Sequence, residues 1–185
     1  MRDLLLIIDM QKVYEDGQPW CCPAFNLVQD NIITLLTADT PPDLVAFTRY
    51  VAPTHPVGTW KNYNQKYTDI NNAAELSELT EVLKPYATPS RIYNKSTYSA
   101  LGIPALQTML NFNSIDRIII TGVVAQCCVL STVMGLIDTG IPIIYLKDAV
   151  AGQSADFEEM TTAVIKSFSP IHTSIMTTAE YRQTL

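Results

Sequence analysis

The chain has no Cys-x-x-Cys pair, no run of lysine and arginine, and no apolar stretch near the ~20 residues that a membrane-spanning helix needs. The first absence removes the usual spacing of a zinc knuckle or a dithiol redox motif. The four cysteines form two adjacent pairs instead, Cys21–Cys22 and Cys127–Cys128. Neighbouring cysteines rarely bridge each other, because the ring they close is strained, so reduced thiols in a cytoplasmic protein are expected. Basic residues number 12 against 18 acidic ones, giving a net charge of −6. No nucleic acid partner is expected of such a balance. The N-terminus lacks a basic region followed by a cleavable apolar stretch, so neither a signal peptide nor a membrane partner is expected. Only two histidines occur, His55 and His172, too far apart to share ligand spacing, so no metal is expected. No Gly-x-Gly-x-x-Gly follows the first apolar run, which argues against a dinucleotide-binding domain.

What is present has the character of a packed α/β chain. Of 185 residues, 48% are hydrophobic and 16% charged, which suits one domain over residues 1–185 with a sizeable core. The apolar runs 4–8, 44–48, 91–94, 117–121, 141–146 and 171–176 have strand length. A continuous apolar run such as 4–8 marks a strand buried on both faces of a parallel sheet. Helical periodicity separates these runs at 23–37, 103–110, 127–138 and 157–168, with a shorter helix over 76–83. The stretch 50–72 has no clear period and is expected as a long functional loop or lid. The alternation implies a three-layer α/β/α fold with a mainly parallel, Rossmann-like sheet. In such sheets ligands bind beyond the carboxyl ends of the strands.

Three chemically capable residues stand at those ends. The first strand runs into Asp9, the third into Lys95, and the fourth leads through Gly122 to Cys127–Cys128 at a helix start. Singly, each has an ordinary reading: a cap, a solvated lysine, a small buried hydrophobe. Together they form a nucleophile, a base and a cation at one sheet edge. A thiol must lose its proton to attack, and both a helix N-terminus and a nearby ammonium favour the thiolate. A carboxylate can receive that proton. Backbone N–H groups of the turn before the helix can hold an oxyanion. The chemistry implied is acyl transfer through a thioester.

Four segments carry a resemblance to the isochorismatase-like superfamily, in its cysteine hydrolase branch. They are Ile7-Ile8-Asp9-Met10-Gln11, Tyr93-Asn94-Lys95-Ser96-Thr97-Tyr98-Ser99-Ala100, Ile120-Thr121-Gly122-Val123 through Cys128-Val129 with Thr132 beyond, and Asp148-Ala149-Val150. The resemblance implies a six-stranded sheet in the order 3-2-1-4-5-6. It implies Cys128 as nucleophile, Asp9 as general base and Lys95 as charge stabiliser. It further implies a cis peptide between Val123 and Val124, an oxyanion hole from the N–H groups of Val124 and Cys128, no cofactor, and a homo-oligomer, either dimer or tetramer. Cys127 matches no catalytic position and is read as structural.

Two departures narrow the function. The family's Thr-Asp before the cysteine is Ala125-Gln126 here, which removes a carboxylate from the site. Nicotinamidases of this superfamily carry an Asp-x-His metal motif where this chain has Arg49-Tyr50-Val51, which disfavours that branch. Isochorismatases proper cleave a vinyl ether without a nucleophilic cysteine, which Cys128 disfavours in turn. The expected activity is hydrolysis of a small amide or ureido-type C–N bond. Gln11, Tyr14, Trp60 and Tyr98 are expected to contact the small-molecule substrate, with Tyr63 and Tyr67 as further wall. The alternative is a catalytically idle ligand-binding or thiol-sensing protein on the same fold.

Overall fold

A computed structural model describes residues 1–185. Six strands form one all-parallel sheet: β1 (Asp3–Ile8), β2 (Leu44–Tyr50), β3 (Ile92–Lys95), β4 (Arg117–Val123), β5 (Ile143–Ala151) and β6 (Thr173–Met176). Their order across the sheet is β3-β2-β1-β4-β5-β6. The order reverses at β1, which pairs with both β2 and β4 and is buried along its whole length.

Alternation along β1 divides the core in two, because successive strand side chains point to opposite faces. Leu5 and Ile7 join a cluster with Phe47, Ile119 and Ile144. That cluster is covered by α1 (Phe25–Leu36), through Phe25, Val28, Ile32 and Leu35, and by Tyr181 of α7 (Thr178–Arg182). Leu4, Leu6 and Ile8 join Ile118, Ile120 and Tyr145 on the other face. There α4 (Pro104–Phe112), α5 (Leu130–Ile137) and α6 (Ala155–Lys166) close the layer with Leu106, Val133, Leu136 and Ile165. No helix is long and apolar enough to cross a membrane.

Gly122 sets how closely the two central strands end. Its φ is +109°, and a Cβ there would lie 2.1 Å from the Ile8 carbonyl oxygen. Only glycine allows that approach, and the residue it presses against precedes Asp9.

Several boundaries differ from the sequence expectation. The stretch 50–72 is not a plain loop; it holds α2 (Trp60–Lys66) and α3 (Thr68–Asn72). Neither helix has a fully buried residue, so the usual apolar stripe is missing. The signal that was present is aromatic: Trp60, Tyr63 and Tyr67 recur at i, i+3 and i+7. The helix expected over 76–83 is absent. A 3₁₀ turn at Ala74–Ser77 leads into an antiparallel bridge between Leu79 and Gln11. Lys12 N–H donates to Glu78 O at 2.9 Å and Thr80 N–H to Met10 O at 3.1 Å. This strap satisfies its backbone against the loop after β1 instead of within a helix. The helix expected from Cys127 begins as a π turn, Ala125–Val129, before α5. The fifth strand runs on to Ala151, past the expected end at Leu146.

Candidate active site

Asp9 stands just past β1 with φ +49°, a left-handed conformation that Asp tolerates better than most residues. Its side chain is fully buried. Thr48 Oγ1 donates to Asp9 Oδ1 at 2.7 Å. Asp9 Oδ2 lies 2.6 Å from Lys95 Nζ, yet that contact lacks hydrogen-bond alignment, and no other protein donor reaches the oxygen. One carboxylate oxygen is therefore held by Thr48, and the other is ion-paired with Lys95.

Lys95 ends β3 and pairs in register with Tyr50 of β2. Its ammonium donates to Thr97 O at 3.0 Å and to Cys128 Sγ at 3.2 Å, and sits 5.8 Å from the Tyr50 ring centroid. Burial favours the neutral amine, but the Asp9 carboxylate and the hydrogen bond to Cys128 outweigh it, and the lysine pKa is raised. Thr132 on α5 accepts from the Ala100 N–H at 3.0 Å. This bond ties the loop after Lys95 to the helix that follows Cys128.

Cys128 is buried in the π turn. Burial pushes its thiol pKa up, Asp9 pushes it further, and Lys95 only partly offsets them. The ammonium lowers this pKa as expected, but it does not set the balance. Desolvation and the carboxylate win, so the resting sulfur is a thiol. The Val123–Val124 peptide is cis. The Val124 N–H, outside any helix or strand, has no backbone acceptor in the protein, which leaves it available to an oxyanion.

A cavity of about 200 Å³ opens onto the thiol. Six aromatic side chains wall it: Tyr14, Trp20, Tyr50, Tyr63, Tyr67 and Tyr98. Trp20 is the hub, with ring centroids 5.8 Å from Tyr14, 5.3 Å from Tyr67 and 6.3 Å from Tyr50. Burial pushes Tyr14 well up and Tyr50 to about 12, so these phenols stay protonated and put no negative charge into the cavity.

Tyr14 and Tyr98 thus reach the cavity together with Cys128, and two expected contacts do not. Gln11 turns away: its amide accepts from Tyr50 N–H at 2.8 Å and donates to Tyr50 O at 2.9 Å and Ser77 O at 2.7 Å. It braces the end of β2 and lines a separate cavity of about 80 Å³ behind Trp20 and Tyr50. A buried amide satisfied by backbone on both atoms has a structural task. Trp60 packs edge-on against Tyr63 and tilted against Tyr98, both at 5.1 Å, and lines a neighbouring cavity with them instead. Residues not singled out from the sequence also line the cavity, Trp20, Tyr50 and Gln153, and so does the half-buried Cys127, which was read as structural. Tyr50 was within reach of strand alternation, since it shares a face with Thr48.

The position of the superfamily's metal motif does not fit a metal here. Arg49 fills it, paired with Glu78 at 2.8 Å and Asn94 at 3.0 Å. No three His, Cys, Asp or Glu side chains converge anywhere to hold an ion.

Comparison with known proteins agrees with the fold. A model of the isochorismatase domain family matches residues 3–180. An isochorismatase-like hydrolase from Alkaliphilus metalliredigens is 20% identical with a TM-score of 0.78, covering 100% of this chain and 99% of its own. A cysteine hydrolase from Pseudomonas syringae pv. phaseolicola 1448A is 22% identical with a TM-score of 0.80, covering 98% and 91%. A nicotinamidase/pyrazinamidase from Bacillus subtilis is 19% identical with a TM-score of 0.75, covering 95% and 99%. No curated protein is similar in sequence at a significant level.

Proposed function

The chain belongs to the isochorismatase domain family, and we propose that within it the chain is a cysteine hydrolase cleaving a small amide or ureido-type C–N bond. One observation carries the reading. Lys95 Nζ stands 2.6 Å from Asp9 Oδ2 and 3.2 Å from Cys128 Sγ, and that sulfur's residue lines an aromatic cavity of small-molecule size.

The roles follow from the protonation states. Cys128 rests as a thiol, and Asp9 Oδ2 takes its proton as sulfur attacks the carbonyl carbon. Lys95 balances the charge that moves between sulfur and carboxylate. The N–H groups of Val124 and Cys128 hold the oxyanion of the tetrahedral intermediate. Its collapse breaks the C–N bond, and the nitrogen leaves with the proton from Asp9. Asp9 then takes a proton from water, which attacks the thioester, and the acid product and the free thiol follow. No step passes through a metal.

The raised thiol pKa and the second cysteine in the cavity favour a different reading, a non-catalytic thiol-sensing or ligand-binding protein. One experiment separates the two. The protein is mixed with a panel of small neutral amides and quenched, and intact mass is measured. An acyl adduct mapping to Cys128, with product release lost in Cys128→Ala, is expected. Binding of panel members with neither adduct nor turnover would favour the non-catalytic reading.

A further inference from the structure

The substitution of Ala125-Gln126 for the usual Thr-Asp has a structural counterpart across the cavity mouth. Gln126 Nε2 donates to Gln153 Oε1 at 3.1 Å. Gln153 is the only carboxamide lining the Cys128 cavity, whose other walls are aromatic rings, Val124 and two thiols. Its own Nε2 donates to no protein acceptor, because its single side-chain hydrogen bond is the one it accepts from Gln126. The turn carrying it is anchored on both sides. Gly152 N–H donates to Glu158 Oε1 at 2.9 Å, and Ser154 caps α6 through Phe157 N–H. Gln126 is wedged against the same turn, since a Cβ on Gly152 would lie 3.0 Å from its Oε1. That Oε1 is itself buried without a partner.

We propose that Gln153 is a specificity-determining residue, which donates a hydrogen bond to a neutral acceptor on the substrate, and that Gln126 is the positioning residue that sets its direction. The substrate class this implies is a small, uncharged amide bearing a neutral hydrogen-bond acceptor away from the scissile bond. A carboxylate at Gln126 could only accept, so it would draw the Gln153 N–H to itself and turn the carbonyl toward the substrate. The glutamine therefore presents the opposite polarity to the cavity. The inference rests on Cys128 as the cavity's nucleophile.

The test uses phenacyl chloride and its pyridin-2-yl, pyridin-3-yl and pyridin-4-yl counterparts at pH 8. Cys128 sulfur displaces chloride from the CH₂ group, forming a thioether while the thiol proton passes to Asp9 and then to solvent. Half-saturating concentrations for alkylation, mapped to Cys128 by peptide mass, are compared after correction for each compound's rate with glutathione. At least one pyridinyl isomer is expected to be favoured over phenyl by about 5- to 10-fold, the worth of one neutral hydrogen bond. Gln153→Leu, at an exposed position, abolishes that preference. Gln126→Glu abolishes it too, with Gln153 still present. Equal reaction of all four compounds, or a preference that survives Gln153→Leu, would overturn the assignment of Gln153. A preference surviving Gln126→Glu would overturn the positioning role. Failure of every compound to label Cys128 would instead overturn the reading of that residue as nucleophile.

Discussion

Thr48 holds Asp9 at two points: its Oγ1 donates to Asp9 Oδ1 at 2.7 Å and accepts from Asp9 N–H at 3.2 Å. The two residues are 39 positions apart and sit at the ends of adjacent strands. The bond leaves Asp9 Oδ2 as the oxygen facing Lys95 and Cys128. Thr48→Val keeps the shape and removes the donor. We expect a stability loss of about 1–3 kcal/mol from the unsatisfied carboxylate oxygen. We also expect kcat to fall about tenfold, the equivalent of ~1.4 kcal/mol in aiming the base, with little change in KM. Denaturant titration and steady-state kinetics measure the two effects.

Breaking the Asp9–Lys95 pair from one side should cost more than removing it whole. Both side chains are buried, with side-chain exposures of 0% and 1%. Lys95→Met strands a carboxylate and should destabilise the fold by about 3–5 kcal/mol. Asp9→Asn combined with Lys95→Met leaves no buried charge, and Asn tolerates the positive φ of position 9. The double variant should recover most of the loss in urea unfolding while remaining inactive. Equal destabilisation of single and double variants would contradict the pair's electrostatic role.

The protonation assignment predicts opposite changes in two rates. Asp9 is the second cause, after burial, that raises the Cys128 thiol pKa. Asp9→Asn removes that anion, and a Cys128 thiolate then becomes the one counterion left to the buried Lys95 ammonium, so the thiol pKa falls. Alkylation of Cys128 by iodoacetamide at pH 8 should therefore speed up, while amide hydrolysis drops because the base is gone. In the unaltered protein the alkylation rate should keep climbing above pH 9 instead of reaching a plateau near neutrality.

Trp20 separates the aromatic cavity from the smaller one behind it, and both are lined by Trp20 and Tyr50. Trp20→Ala should join them. KM for small amides is expected to rise about tenfold, as ~1.4 kcal/mol of ring contact is lost, and amides too bulky for the native cavity should gain activity. Competition between a small and a branched amide measures both effects in one assay.

Much of this was legible along the chain. The apolar runs implied a parallel sheet, because a strand buried on both faces cannot show alternation. They also placed Asp9, Lys95 and the turn before Cys128 at carboxyl ends, where such sheets bind ligands. The strap from Ala74 to Leu83 was not legible, because its hydrogen bonds go to Met10, Gln11 and Lys12 across some 70 residues.

By itself the sequence determined the sheet, its layers and the identity of the three residues at its edge, since burial patterns and strand ends are local properties. Only the tertiary structure decided which way Gln11 faces, that Trp20 and Tyr50 close the cavity, that Gln126 meets Gln153, and that the Cys128 thiol pKa rises. Those outcomes depend on neighbours remote in sequence: the backbone that satisfies an amide, the rings that exclude water, and the balance of burial, anion and cation around one sulfur atom.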